Sequence, residues 1–223
     1  MLTHYTRAMK QKLRAGVFLV AAVVFGLVAT QTRAENAVAE EYVEGLIATA
    51  IEILSDADIS DERRQTEFES FLNDNVDMRR LPAFLLGQYA RLPTDEQKVD
   101  YLDLLREFMT RIYLVRLQQY ADDTIKVTGS RDRKNGREVV VTGTIQLPNR
   151  AQPLSLDWWL LQKEQDDGTF KFHVFDVRVA GIWLAQEQRS GFVSVIRNNQ
   201  GSFDALLRHL RKQIDSQAAS PAQ

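Results

Sequence analysis

Beyond residue 34 this chain keeps two histidines, His173 and His209, and it has no cysteine anywhere. His209 sits among Arg208, Arg211 and Lys212 near the end of a helical pattern, where cations are favoured by the helix dipole. His173 lies mid-strand with Lys171 on its own face. No nucleophile elbow, zinc-protease motif, phosphate loop or dinucleotide fingerprint occurs. The acid pairs Asp56/Asp58, Asp122-Asp123 and Asp166-Asp167 fall at turns or helix starts, where Asp serves local hydrogen bonding. None is spaced as a calcium loop, which needs alternating acids, a central Gly and a closing Glu. Lacking cysteine, the chain has no thiolate catalysis, no Cys-based metal site and no disulfide. Neither a metal nor a cofactor is expected.

The first 34 residues direct the chain elsewhere. Arg7, Lys10, Lys12 and Arg14 precede the apolar run Ala15 to Thr30, and Thr32-Arg33-Ala34 offers small residues at a peptidase site. This is the layout of a cleaved secretory signal, with cleavage expected after Ala34. Sixteen apolar residues fall short of the roughly 18–20 that span a bilayer, so a retained anchor is the weaker reading. Five basic residues and no acid leave with the signal, making the remainder more negative by five than the −2 of the whole chain. Such a balance gives no footprint for nucleic acid and argues against purely electrostatic docking on anionic lipid. Residues 35–215 suit one domain, and 216–223 read as a disordered tail.

The elements change period midway. Val43, Leu46, Ile47, Ala50, Ile51 and Leu54 recur at helical spacing. A second helix is capped at Ser60 or Asp61 and carries Phe68, Phe71 and Leu72; a short third has Pro82 near its start and Gly87 near its end. Thr94-Asp95-Glu96-Gln97 is a capping box opening a helix to about Tyr120. Its apolar residues form two stripes, Tyr101, Leu105, Phe108, Ile112, Val115 and Leu102, Met109, Tyr113, Leu117, Tyr120. A surface helix needs one stripe, so this helix is covered on more than one side or lines something.

From Thr124 the period is two. Turns at Asn135-Gly136, Pro148 to Pro153 and Asp166-Asp167-Gly168 divide a four-stranded antiparallel meander. In the last strand Phe170, Phe172 and Val174 share one face, while Phe175, Val177 and Val179 share the other, which asks for a bulge near Val174 or cover on both faces. Two more helices follow, one carrying Leu184, Phe192, Val195 and Ile196, the other Phe203, Leu206, Leu207 and Leu210. The fold class is therefore α+β, a twisted four-stranded sheet wrapped by about six helices. The aromatic-rich zone around Trp158-Trp159, Phe170, Phe172, Phe175 and Trp183 reads either as core or as an apolar cavity between sheet and helices.

In order along the chain, Phe68-x-x-Phe71-Leu72, Asp77, Leu86-Gly87, Thr94-x-x-Gln97 and Tyr113-x-x-x-Leu117-x-x-Tyr120 lead to Asp176-Val177-Arg178-Val179-Ala180-Gly181-Ile182. Gln188-Arg189-Ser190-x-Phe192, Val195-Ile196, Gly201 and Asp204-x-Leu206-Leu207 complete the series. By these features the sequence resembles the MlaC family of periplasmic lipid-binding proteins, auxiliary components of lipid-transport ABC systems, and is similar to its hopanoid-associated HpnM branch. Three departures stand out: Tyr89-Ala90-Arg91 spreads a Trp-Arg, Trp183 replaces a small Ser, and Gln200-Gly201 replaces Gly-Gly.

The resemblance implies a carrier rather than an enzyme, a monomer that takes phospholipid or hopanoid-type lipid between inner- and outer-membrane complexes. On this reading the lipid-binding residues are Tyr113, Leu117, Val139, Val141, Leu156, Trp158, Leu160, Val177, Ile182 and Trp183. Two other readings stay open at this stage. One is a nuclear transport factor-like cone with isomerase chemistry, for which Asp157, Asp176 and Tyr113 are the candidates; the other is an envelope adaptor without a ligand.

Overall fold

The structure, a computed structural model, describes residues 37–118, 120, 123–134, 136–148, 150–165 and 167–218. The expected signal segment 1–34, Asn135, Asp122 and Asp166 lie outside the described residues, as do 219–223 of the expected tail. Six helices and five strands follow one another: α1 (37–55), α2 (Asp61–Asn75), α3 (Leu81–Leu86), α4 (Asp95–Gln118), β1 (Thr124–Asp132), β2 (Glu138–Gln146), β3 (Leu154–Glu164), β4 (Phe170–Val179), β5 (Ile182–Trp183), α5 (Leu184–Asn198) and α6 (Phe203–Ala218). Among the described residues no helix is long and apolar enough to cross a membrane.

The helix starts follow the local chemistry of the sequence. Ser60 accepts the Arg63 amide and opens α2. The capping box of α4 is reciprocal: the Gln97 amide donates to Thr94 Oγ1 at 3.2 Å and the Thr94 amide to Gln97 Oε1 at 3.0 Å. Pro82 sits in the first turn of α3, and Gly87 ends it at φ 55. A Cβ at Gly87 would also lie 3.0 Å from Arg189 Nε, so conformation and packing both call for glycine. Helix α6 runs through Ala218, taking in the first residues of the expected tail.

The sheet is an antiparallel meander in sequence order β1-β2-β3-β4-β5. It has five strands rather than four. The fifth is two residues long and therefore has no period to read; it exists because Ala180 and Gly181, at φ 50 and 90, fold the chain back in a tight hairpin. The parity switch in β4 is a bulge: Trp159 pairs with Asp176 and Leu160 with Val174, leaving Phe175 unpaired.

Two separate cores result. Helices α3 to α6 close around Tyr101, Leu105, Phe192, Leu206 and Leu210. One face of the sheet packs Val139, Val141 and Leu160 against Ala39 and Val43 of α1. Domains of this size usually hold one contiguous core; here the two are set apart, with α4 and the sheet facing across the gap.

Candidate functional site

Between the two cores lies an apolar cavity of about 260 Å³. One wall is the second stripe of α4, with Met109, Tyr113 and Leu117 followed by Tyr120. The opposite wall is the sheet, through Ile145, Leu154, Leu156, Trp158, Val177 and Val179. The C-terminal half of α1 (Ile47, Ala50, Ile51, Leu54) closes one side and the start of α5 (Leu184, Ala185, Gln188) another. The double stripe of α4 thus has a physical cause: Tyr101, Leu105, Phe108, Met109 and Ile112 belong to the helical core, of which Leu105, Phe108 and Met109 also reach the cavity, and Tyr113 and Leu117 carry its wall onward.

Helix α1 is held over the cavity by polar contacts at its edges. The buried guanidinium of Arg64 donates to the carbonyls of Ile53 at 2.6 Å, Leu54 at 3.2 Å and Asp56 at 2.5 Å. These are the carbonyls that a helix C-terminus leaves unpaired. Tyr42 donates its hydroxyl to Asn75 at 3.1 Å, and burial pushes its phenol up to about 12. Ser130 of β1 donates to Glu40.

The structure divides the ten expected binding residues. Tyr113, Leu117, Leu156, Trp158 and Val177 line the cavity. Val139, Val141 and Leu160 do not: each is 0% exposed in the sheet–α1 core, where the small Ala39 lets the helix approach too closely to leave a gap. Ile182 is 53% exposed, because β5 pairs with the end of β4 at the sheet margin. Trp183 also lies off the cavity; its ring meets Trp159 edge-on at 6.0 Å, with the Arg178 guanidinium 5.3 Å from its centroid. The lining residues of α1, α2 and α5 were not among those expected. The sequence did carry a trace of α1, since Ile51 widens its apolar stripe beyond what one packed face uses.

The chemistry-bearing residues have other partners. Asp157 is 3% exposed and takes Arg178 Nε at 2.6 Å, with Arg131 at 3.7 Å. Asp176 Oδ1 accepts the amides of Val177 and Ala185, both at 2.8 Å, and burial raises its carboxyl above the ordinary range. Tyr113 reaches the cavity with its phenol held above its usual value by burial. Asp56 accepts the Asp58 amide and Asp167 the Thr169 amide, ordinary turn bonds. His173 and His209 are both lowered by burial and by neighbouring lysines, and neither is at the cavity. Among the described residues no cluster of acids and histidines has the spacing to hold a metal ion.

A family model described as MlaC protein matches residues 44–212, from α1 to α6. The chain belongs to the MlaC family. The fold agrees with this: a solved phospholipid-binding protein from Ralstonia solanacearum, in complex with a phospholipid, superposes with a TM-score of 0.66 at 20% identity, over 80% of this chain and 98% of that one. In this MlaC-family chain the matched span takes in all the cavity walls and both cores except Ala39, Val43 and Ile214.

Proposed function

We propose that this protein is a lipid carrier that holds the acyl or other apolar part of a phospholipid or hopanoid-type lipid in the cavity and shuttles it between inner- and outer-membrane complexes. The observation that carries the reading is the cavity itself, walled almost wholly by aliphatic and aromatic side chains and lying between two cores rather than within one. Each methylene withdrawn from water is worth about 0.8 kcal/mol, so a chain in transit needs an apolar enclosure and no catalytic group. Family membership and the phospholipid-bound Ralstonia relative support the lipid class. The positive, apolar and small-residue layout of residues 1–34 supports export, cleavage after Ala34 and work in the periplasm.

The test is direct. Protein purified without detergent is extracted with organic solvent, and the extract is examined by mass spectrometry. Stoichiometric lipid is the expected result, with phospholipid and hopanoid species told apart by mass. An empty extract, together with no uptake from vesicles by delipidated protein, overturns the carrier reading. The mass of the same protein from the periplasmic fraction reports whether it begins at Glu35.

A further inference from the structure

Along β2 and β3 the cavity stops at one row of the sheet, although on β4 it reaches one pair further, to Val174. On β3, Leu154, Leu156 and Trp158 line it and Leu160 does not; on β2, Ile145 lines it and Val141 does not. Trp158 pairs with Val141, so its backbone lies on the row where, on these two strands, open space gives way to solid core.

The ring does not stand upright over its own row. A Cβ added to Gly143 would lie 2.8 Å from Trp158 Cζ3 and 3.2 Å from Cη2. Gly143 pairs with Leu156, two residues back along β3. The six-membered edge of the indole therefore leans along the sheet into the cavity and covers a patch of β2 that only glycine leaves bare. Any side chain at 143 would push the ring outward, or strain against the Lys126 carbonyl oxygen at 2.6 Å.

Resting on the carrier reading, we propose that Trp158, seated over Gly143, is the gauge that sets the length of apolar chain this cavity accepts. A chain running along β2 and β3 ends against the indole. On the β2–β3 side, methylenes beyond that point meet the solid core of Val141 and Leu160, and each one left outside the cavity penalises a longer chain about fourfold.

Delipidated wild type, W158F, W158L and G143A are incubated with vesicles of equimolar saturated phosphatidylethanolamines, dodecanoyl to eicosanoyl, and the captured species are weighed by mass spectrometry. W158L should shift the captured mixture toward longer chains by roughly fourfold for each further methylene the opened floor admits, with W158F between it and wild type. G143A, where thermal melting shows it folded, should shift toward shorter chains. Folded W158L and W158F with the wild-type chain-length profile would overturn the gauge while leaving the carrier intact. A wild type that captures no lipid overturns both.

Discussion

The carboxylate of Asp176, on β4, accepts the amide proton of Ala185 at 2.8 Å, so a strand residue caps a helix that begins after the intervening hairpin. The same oxygen takes the Val177 amide, while Oδ2 is buried with no hydrogen-bond partner. Position 183, where a helix normally carries its own capping side chain, is a tryptophan and makes no such bond. The bond pins α5 to the sheet where both meet the cavity.

Asp176→Asn keeps an acceptor for Ala185 and removes a buried charge, whereas Asp176→Ala leaves a buried amide unpaired. Urea denaturation should therefore show Asp176→Ala destabilised by about 2–3 kcal/mol and Asp176→Asn by no more than about 1 kcal/mol. Equal losses in the two variants would deny the cap its role.

Arg64 satisfies three carbonyls where α1 ends. Replacing it with Met preserves much of the side-chain volume and strands those acceptors, at an expected cost of about 3 kcal/mol. Amide hydrogen exchange should show the loss concentrated in residues 47–55 of α1. Uniform loss across the chain would mean that Arg64 does not specifically hold this helix.

The two sides of the sheet–cavity boundary should respond differently. Leu160→Ala removes a fully buried side chain from solid core and should cost about 2–5 kcal/mol while the captured lipid species stay the same. Leu117→Ala widens a wall that is already open, so it should cost less than about 1.5 kcal/mol and change the lipid profile. Melting curves paired with lipid mass spectra separate the cases; a changed profile in Leu160→Ala would move the cavity floor.

Alkaline pH should weaken the hold on α1. Tyr42 ionises near pH 12 in the folded protein against about 10 unfolded. A raised folded value means that its contribution is complete below pH 10 and is lost as pH rises toward 12. Tyr42→Phe removes the bond to Asn75, costing about 1 kcal/mol at neutral pH, and should flatten the fall in stability above pH 10. Stability measured by urea titration across that range checks this; an unchanged slope would assign the alkaline loss to other groups.

By itself the sequence determined the elements whose causes are local. The Thr94–Gln97 box, the Pro82 and Gly87 bounds of α3, the alternation in β2 and β3 and the double stripe of α4 are each set by neighbours within one turn or one pleat. Five of the expected binding residues fell on the cavity because alternation and helical period do tell which face a side chain takes.

What the period could not tell is how closely another element approaches that face. Val141 and Trp158 are paired and share one face of the sheet, yet Val141 is sealed while Trp158 meets open space. The difference lies in α1, whose Ala39 and Val43 press onto one end of the sheet while its later turns cover the gap. Strand β5 and the α5 cap escaped the sequence for a related reason. A two-residue strand has no period, and Asp176 meets Ala185 only after Ala180 and Gly181 have reversed the chain. Face is written in the sequence, but distance between faces is decided when the elements pack.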